Sequence, residues 1–553
     1  MPTRPCVYRF DTPRPEDGEV LDVGRVTSGR VSLILQNPGR VKVVSSEARA
    51  WIDAGDVPNA LDPSAGTVRE HDASQPGRFT EPEIRGGFRY LKVTGPITAV
   101  EIEPTSWPSG DRMGSFACSD EELTRIWEAA ADTIALTTVP SHLGGPSAAV
   151  VAGAGDWMLV DGAKRDRLIW AGDLGVQVPA WLLAFGDPRP ALDSLAYLAS
   201  HQREDGALPG CSPVDFGRAT AFLFGEYSLW WVIALAEYVR RTADRAGAAP
   251  LLNTARRALD YAAGQCDGSG LWVQTPSNGF QWKWTIPVQG RPSYTNSLHV
   301  LALRAAAELF QNPALAQKAD ALSARIQTLL WDADAGALVD SDEDLLRHPQ
   351  DGNALAVLGG VIKDGDARRA LALLRERCWL PWGSANVDIA WESTLMDLPV
   401  HNRRVYAFMN GFEVEARFLA GDTAGALELL RRCWGHMLRT DPASTFWEWA
   451  GPDGNVETPW ASCAHGWSNH CLTLLTERVL GVRPIREGYS RLVVDPAPTG
   501  LDWAEGRVPT PSGIVEVRWE KGPKGLECTV RLPKGVGAEF SPAFVAVSCN
   551  DQW

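Results

Sequence analysis

The stretch Asp161-Gly-Ala-Lys-Arg-Asp-Arg-Leu-Ile-Trp-Ala-Gly-Asp173 carries three carboxylates, three cationic side chains and a tryptophan. It lies between the apolar segment Trp157-Met-Leu-Val160 and an apolar run from Leu174 to Phe185 with the length of a helix. A solvated loop with salt bridges is one interpretation of the charges. Because burying such a cluster is costly and unnecessary for folding, Trp170 and the apolar flanks favour a partly buried cleft. Perturbed carboxylates gather at functional sites, so we interpret the stretch as part of one.

The size and charge of the chain limit what it can do. Its 553 residues are too many for one core and predict about three or four domains. The net charge of −15 argues against nucleic acids and anionic membrane surfaces as partners. No apolar run approaches about 18 residues, so we predict no membrane span. The oligomeric state stays open.

The cysteines and the first residues bear on the cellular location. The ten cysteines are scattered without a Cys-x-x-Cys pair, which is typical of reduced thiols rather than of a disulfide framework or a zinc site. The start, Met-Pro-Thr-Arg-Pro-Cys-Val-Tyr8, lacks the hydrophobic region of a signal peptide. We therefore expect a cytoplasmic protein without a metal site or a cofactor.

Both ends of the chain have the pattern of β structure. Over residues 1–112, β-branched segments separated by turn residues predict an N-terminal antiparallel β-sandwich, with strands near 31–35, 41–44, 88–93 and 97–102. Over residues 483–553, alternating segments predict a small C-terminal β-sandwich domain, with strands near 492–495, 513–519 and 526–532. Lys521-Gly-Pro-Lys-Gly525 has the composition of a hairpin turn between the last two.

The middle of the chain, residues 113–482, has helical periodicity. About twelve helices are predicted, near 120–135, 173–186, 189–202, 224–242, 250–265, 293–311, 314–331, 352–361, 366–377, 403–420, 422–437 and 465–480. Short joins alternate with long joins, and the long joins hold most of the motifs that combine Trp, acids and Gly. This alternation predicts six helical hairpins closed into an (α/α)6 toroid, with the long loops at one mouth. The predicted fold is therefore multidomain and mainly α.

A second motif places Glu448 between two tryptophans, in Ser444-Thr-Phe-Trp-Glu-Trp-Ala-Gly451, ahead of Trp460-Ala-Ser-Cys-Ala-His-Gly-Trp-Ser-Asn-His470. Such surroundings can shift a carboxyl pKa and exclude bulk water. A glutamate at the edge of an aromatic core is the alternative interpretation. Glycoside hydrolysis needs two carboxylates, because one protonates the departing oxygen and the other attacks the anomeric carbon or activates water. The 23 tryptophans of the chain favour the same interpretation, since aromatic faces pack on sugar rings.

Together, these motifs resemble those of the α-L-rhamnosidases of glycoside hydrolase family 78, which are six-hairpin glycosidases. The resemblance runs from about residue 118 to 500 and includes Phe408-Met-Asn-Gly-Phe-Glu-Val-Glu415 and Gly481-Val-Arg-Pro484. It implies an exo-acting, inverting hydrolase that releases terminal α-L-rhamnose from oligosaccharides or glycosides. A rhamnose-containing carbohydrate is the implied substrate.

The resemblance also implies roles for individual residues. Asp166 lies where the family has its general acid, and Glu448 matches the general base that activates water. Arg165 lies beside the acid and would tune it electrostatically. The remaining matches would hold hydroxyls of the terminal sugar or wall its pocket; they are Asp161, Asp173 and His465 for the hydroxyls, and Trp170, Trp447 and Trp467 for the walls.

One departure from the family leaves alternatives open. The general acid of the family is commonly Glu, and the Asp166 side chain is one methylene shorter. Three alternatives stay open: the backbone lies closer to the substrate, the accepted leaving group differs, or turnover is slow. The cations of Lys164-Arg-Asp-Arg167 suggest an acidic aglycone such as a uronic acid. Another six-hairpin glycosidase, a uronate-directed enzyme and a sugar-binding relative without catalysis are the rival functions. Asp388 and Glu392 are further acids that could reach the mouth, although a salt bridge in a loop is their default interpretation. Glu226, at the beginning of the fourth predicted helix, is a further candidate for contact with substrate.

Overall fold

The computed structural model describes residues 7–12, 18–53, 67–143, 155–212, 224–279, 281–283, 288–390, 393–395, 398–400 and 403–551. Along this part of the chain, a β-sheet comes first, a mainly helical region follows, and two further sheets lie at the C-terminal end. The mainly α organisation with β structure on both sides, as predicted from the sequence, is therefore present. Within the described ranges, no helix combines the length and the apolar composition that crossing a bilayer requires.

Seven strands form the N-terminal sheet, and every pairing in it is antiparallel. Val41 and Val43 are buried on either side of exposed Lys42, as expected for a strand with one face on a core. The strands are β1 (Tyr8–Asp11), β2 (Glu19–Leu35), β3 (Gly39–Ser46), β4 (Val68–Ala73), β5 (Gly77–Thr80), β6 (Arg85–Thr94) and β7 (Ile97–Pro104); β8 (Ser115–Cys118) belongs to another sheet. The sheet order is β1–β7–β2–β6–β3–β4, with β5 also paired to β2. β2 is bulged, so its two halves pair with different neighbours, β6 and β7.

Each of the twelve predicted helical segments contains a helix. The helices are α1 (Glu121–Leu136), α2 (Ala171–Phe185), α3 (Arg189–Ser200), α4 (Tyr227–Thr242), α5 (Arg245–Ala248), α6 (Leu252–Gly264), α7 (Ser293–Leu309), α8 (Pro313–Leu330), α9 (Gln350–Leu358), α10 (Asp364–Arg377), α11 (Ala407–Leu419), α12 (Thr423–Leu430), α13 (His436–Arg439) and α14 (His470–Leu474). A π-helical turn, Arg431–Gly435, joins α12 to α13, and another, Leu475–Leu480, extends α14. Asp120 caps α1 by accepting hydrogen bonds from the amides of Glu122 and Leu123.

Six helices contact one another in succession. α2 contacts α4, α4 contacts α7, α7 contacts α9, α9 contacts α11, α11 contacts α14, and α14 contacts α2 again. The helices α3, α6, α8, α10 and α12 each contact a member of this series, and α1 contacts α14. All 15 residues of α2 are buried, as expected for a helix with neighbours on every side.

Short strands between the helices pair two by two. The pairs are β9 (Thr138–Pro140) with β10 (Trp157–Leu159), β11 (Trp331–Asp332) with β12 (Ala337–Leu338), β13 (Trp379–Leu380) with β14 (Gly383–Ser384), β15 (Ser393–Leu395) with β16 (Leu398–Val400), and β17 (Val405–Tyr406) with β18 (Trp449–Ala450). The last pair joins the beginning of α11 to the segment that carries Glu448. Residues far apart in the sequence therefore come together where these helices begin.

Two sheets close the chain. One contains β19 (Val482–Pro484), β20 (Arg491–Val494) and β24 (Gly537–Phe540), and the other contains β21 (Trp503–Thr510), β22 (Gly513–Gly522), β23 (Gly525–Leu532) and β25 (Phe544–Asp551). The predicted hairpin turn is confirmed, since β22 and β23 pair antiparallel up to Gly522 and Gly525. β8, which precedes α1, pairs with β21 at the edge of the second sheet. The domain limits 1–112, 113–482 and 483–553 stay predictions.

Candidate active site

A closed loop carries the first acidic cluster. The backbone N–H of Asp161 donates to the carbonyl of Leu168 at 2.9 Å, and the Leu168 N–H donates to Asp161 Oδ1 at 3.0 Å. Between these ends, Asp166 and Arg167 have φ values of 55° and 53°, in the left-handed region that non-glycine residues rarely adopt. Asp161, Arg165 and Asp166 are nevertheless buried. The loop is therefore buried and is not a solvated loop, whereas the cleft stays a prediction.

Arg165 brings the two distant acidic motifs together. Its Nη1 donates to Asp166 Oδ2 at 2.7 Å, and its Nη2 donates to Glu448 Oε2. The guanidinium also lies over the Trp460 ring, 4.0 Å from the centroid, and its Nε donates to the Trp460 carbonyl at 3.2 Å. A planar fork with several donors suits this bridging, and the aromatic face excludes water from it. Asp166 and Glu448 therefore belong to one site.

Glu448 is buried in the second motif, between Trp447 and Trp449. Its backbone N–H donates to the carbonyl of Ser462 at 2.9 Å, and the Ser462 N–H donates back to Oε2 at 3.4 Å. Burial raises the pKa of Glu448, while the charge and hydrogen bond of Arg165 lower it. Arg165 is thus the main favourable influence on the ionised form of this carboxylate.

Asp173 and His465 lie beside the two bridged acids. Asp173 is in the first turn of α2, and its Oδ1 lies 3.4 Å from His465 Nδ1. His465 Nε2 lies 3.8 Å from both Asp161 Oδ2 and Glu448 Oε1. Burial, together with the charge of Arg165, lowers the pKa of His465 well below its usual value and so favours the neutral imidazole. Burial and the charge of Glu448 raise the pKa of Asp173 well above its usual value.

Two of these buried polar atoms have no hydrogen-bond partner. They are Asp173 Oδ1 and His465 Nδ1, which lie 3.4 Å from each other but form no hydrogen bond with each other or with any other described residue. Leaving buried polar atoms unpaired is costly, so native proteins do so chiefly where a ligand or water completes the site. Together with Asp161 and Glu448, they form a buried polar cluster with the donor and acceptor types that sugar hydroxyls match. No group of three His, Cys, Asp or Glu side chains in the described part of the chain is arranged to hold a metal ion.

The three predicted wall tryptophans lie in different surroundings. Trp467 is stacked on Phe408, with ring centroids 5.0 Å apart, and its Nε1 donates to the carbonyl of Glu448 at 3.2 Å. Trp170 precedes α2 and packs edge-on against Phe224 at 5.5 Å. Trp447 is completely buried and packs against His436. The indole N–H groups of Trp170 and Trp447 find no acceptor among the described residues.

Sequence reasoning missed a second polar cluster beside the first. Trp282 packs edge-on against Trp467 at 6.3 Å, and its backbone N–H donates to Glu226 Oε1 at 2.9 Å. Its indole N–H donates to Asp351 Oδ2 at 2.8 Å, and Lys283 Nζ lies 3.2 Å from the same oxygen. Glu226 alone was considered from the sequence. Their position in the sequence is the one signal that points to them, since Glu226 and Asp351 both occur where a predicted helix begins.

The other side chains named from the sequence have internal partners. Lys164 Nζ donates to the carbonyl of Pro459 at 2.7 Å, and Arg167 Nη1 donates to the carbonyl of Ala163 at 2.6 Å. These contacts weaken the idea that the cluster of cations binds an acidic aglycone. Asp388 Oδ2 lies 3.0 Å from His348 Nδ1, which is the salt bridge expected by default. Glu392 lies outside the described residues.

Comparison by sequence finds rhamnosidases at the C-terminal end. Residues 481–541 match the family described as "Bacterial alpha-L-rhamnosidase C-terminal domain". A curated α-L-rhamnosidase from Alteromonas sp. (strain LOR) is 39% identical over 67 residues, which are 12% of this chain and 7% of that protein. The chain thus aligns with only a small part of this curated relative.

Comparison by structure covers nearly the whole chain. The glycoside hydrolase family 78 rhamnosidase of Bacillus sp. GL1 aligns with 96% of this chain and 54% of its own, at 22% identity and a TM-score of 0.73. An α-L-rhamnosidase of Streptomyces avermitilis complexed with L-rhamnose aligns with 97% of this chain and 50% of its own, at 20% identity and 0.72. The rhamnosidase of Klebsiella oxytoca with rhamnose bound aligns with 85% of this chain and 96% of its own, at 19% identity and a TM-score of 0.66. The resemblance to these rhamnosidases that the sequence predicts is confirmed, and at these identities the likeness is one of fold.

Proposed function

We propose that this chain is an exo-acting, inverting glycoside hydrolase that releases terminal α-L-rhamnose from oligosaccharides or glycosides. The observation that carries the proposal is the contact of Asp166 and Glu448 with one buried guanidinium, that of Arg165. Two carboxylates, one as acid and one as base, are what this reaction needs. The rhamnosidase fold and the match over residues 481–541 support the choice of sugar.

In the proposed reaction, protonated Asp166 gives its proton to the glycosidic oxygen as the bond to the anomeric carbon breaks. Glu448 accepts a proton from a water molecule that attacks the same carbon from the opposite face of the ring, so the configuration inverts. Inversion with one water requires carboxyl groups about 6.5–9.5 Å apart, which stays a prediction. Arg165 contributes twice, because it favours ionised Glu448 before the reaction and stabilises the carboxylate of Asp166 after proton transfer.

The neighbouring residues would hold the sugar. Asp161, Asp173 and neutral His465 offer acceptors and donors to ring hydroxyls, and the unpaired atoms of Asp173 and His465 support this role. Trp170, Trp447 and Trp467 would contribute the aromatic walls. Among these three, Trp467 has the strongest support, because it contacts both the His465 ring and the carbonyl of Glu448.

We also propose that the helical region is an (α/α)6 toroid. The closed succession of contacts from α2 through α4, α7, α9, α11 and α14 back to α2 supports an inner ring of six helices. The outer partners would be α3, α6, α8, α10, α12 and α1. Asp173 lies in the first turn of α2, and His465 and Trp467 immediately precede α14, which supports a mouth at that end. A cytoplasmic location and the absence of nucleic-acid partners likewise remain proposals.

A sugar-binding protein without catalysis is the second candidate. One feature favours it: the acid position holds Asp rather than the longer Glu, and Arg165 contacts that carboxylate. Such a protein would bind L-rhamnose without hydrolysing any rhamnoside.

A panel of 4-nitrophenyl glycosides tests both candidates. We expect release of nitrophenol from the α-L-rhamnoside and little from glucosides, arabinosides or glucuronides. Glu448→Gln should lose turnover by about 10²–10⁴-fold, the usual contribution of an acid–base group. Glu428→Gln, at a partly exposed residue of α12, is the matched control and should retain activity. Binding of L-rhamnose without turnover of any substrate would instead support the second candidate.

A further inference from the structure

The N-terminal sheet covers the back of the loop that carries Asp166. The Gly87 N–H of β6 donates to the carbonyl of Ala163 at 2.7 Å. A Cβ atom at Gly86 would lie 2.5 Å from the carbonyl oxygen of Lys164, so only glycine permits this approach. The sheet and the loop therefore pack backbone to backbone.

Glu47, which immediately follows β3, extends this contact into both acidic motifs. The side chain is buried, and its Oε2 lies 3.1 Å from Lys164 Nζ. The same Oε2 accepts a hydrogen bond from the Cys463 N–H at 2.7 Å. Lys164 also donates to the carbonyls of Pro459 and Ala461, at 2.7 and 2.5 Å. One carboxylate from the N-terminal sheet thus joins the loop before Asp166 to the loop that contacts Glu448.

The residues joined by Glu47 are direct neighbours of the proposed acid and base. Lys164 precedes Arg165, whose guanidinium contacts both carboxylates. Cys463 follows Ser462, whose backbone hydrogen bonds with Glu448. The two loops also pair directly, since the Ala163 N–H donates to the carbonyl of Ala464 at 3.0 Å.

We infer that Glu47 is a positioning residue. Through its contacts with Lys164 and the Cys463 amide, it links the N-terminal sheet to both loops and fixes the distance between Asp166 and Glu448. The inference rests on the proposed function. A buried ion pair contributes little net stability. Removing or displacing either partner leaves an uncompensated buried charge, so the two groups are held together. Burial raises the pKa of Glu47 and the charge of Lys164 opposes the rise, so the carboxylate depends on this partner for its charge.

The central test compares Glu47→Gln with Glu81→Gln. Both residues are buried acids of the N-terminal sheet region, but Glu81 pairs with Arg85 rather than with the loop. On 4-nitrophenyl α-L-rhamnoside, Glu47→Gln should lower kcat on the order of 100-fold, the typical effect of a misplacement near 1 Å, with KM changed little. The acidic limb of its profile of kcat/KM against pH should move to higher pH. A displaced Arg165 stabilises ionised Glu448 less, so the pKa of Glu448 rises further. Glu81→Gln should leave both unchanged.

Hydrogen–deuterium exchange gives a readout that needs no activity. Glu47→Gln should increase exchange in peptides covering 161–168 and 459–465, whereas Glu81→Gln should not. If the wild-type protein hydrolyses no glycoside, the proposed function fails and exchange still tests the link. Unchanged exchange in both loops, or wild-type kcat and pH profile in folded Glu47→Gln, would overturn the inference.

A double variant guards against loss of folding. Glu47→Gln combined with Lys164→Met removes both charges, so no lone buried charge remains. If Glu47 acts through Lys164, the double variant should lose less activity than the product of the two single losses. Independent, multiplicative losses would overturn the link.

Discussion

Arg165 donates one terminal nitrogen to Asp166 and the other to Glu448, although Arg165 and Glu448 are 283 positions apart in the sequence. The guanidinium is buried and lies on the Trp460 ring, so solvent screens these contacts little. One side chain therefore fixes the acid relative to the base and sets the electrostatic environment of both.

Arg165→Lys should separate these two effects. A lysine keeps the charge but has no planar fork, so it cannot bridge two carboxylates in the same way. We expect kcat to fall at least ~10-fold and the acidic limb of kcat/KM to move to higher pH, since burial then raises the pKa of Glu448 with less opposition. Arg518→Lys, at a partly exposed residue of the C-terminal sheet, is the control. A wild-type pH profile in Arg165→Lys would contradict this role.

Asp166→Asn should show a loss that depends on the leaving group. Nitrophenolate departs with little help from an acid, whereas an alkyl or sugar alcohol needs a proton in the transition state. The variant should therefore lose much more activity on a rhamnosyl disaccharide than on the 4-nitrophenyl α-L-rhamnoside. Equal losses on both substrates would argue against Asp166 as the general acid.

The helical pattern and both acidic motifs were predictable from the sequence because their signals are local. Apolar residues at helical spacing predict twelve helical segments, which do not include the short helix α5, and the composition of 161–173 predicts a partly buried cleft. The contact between Arg165 and Glu448 has no local signal, since only the neighbour relations of the helices bring their loops together. The resemblance to a known family implies that Asp166 and Glu448 act in one site, but it places Arg165 only beside the acid.

Glu226→Gln should change how stability depends on pH. Burial raises the pKa of Glu226 from 4.5 to about 8. Between these values the folded state keeps a proton that the unfolded state has lost, so the stability of the wild type falls as pH rises through this window. The variant lacks this dependence. Between pH 5 and about 8, its free energy of unfolding should increase relative to that of the wild type by on the order of a few kcal/mol. Parallel curves of unfolding free energy against pH, from urea denaturation, would refute the assignment.

Glu413→Ala should destabilise the helical region. Glu413 is completely buried and accepts hydrogen bonds from Arg417 Nη2 at 2.6 Å, Trp379 Nε1 at 2.8 Å and Gln350 Nε2 at 2.9 Å. Its removal leaves a buried guanidinium without this partner, which costs about 3–5 kcal/mol. Glu428→Ala, at a partly exposed ion pair, should cost at most about 1 kcal/mol. Equal unfolding midpoints for the two variants would contradict the prediction.

The contacts that could not be predicted from the sequence are those made by long-range packing. Trp282 and Asp351 look like ordinary loop and helix residues, and only the contact of Trp282 with Trp467 relates them to the site. Glu47 likewise occurs in a strand-rich region without a motif. Its connection to Lys164 depends on how the N-terminal sheet lies on the loop, which no local pattern encodes.

In the proposed mechanism, Asp166 and Glu448 hydrolyse a rhamnoside with a single displacement by water. Proton NMR during cleavage of an α-L-rhamnoside tests it most directly, because the anomeric signals distinguish the first-formed sugar before mutarotation. We predict that β-L-rhamnose appears first. Initial release of α-L-rhamnose would contradict the account, since it would require retention through a covalent intermediate.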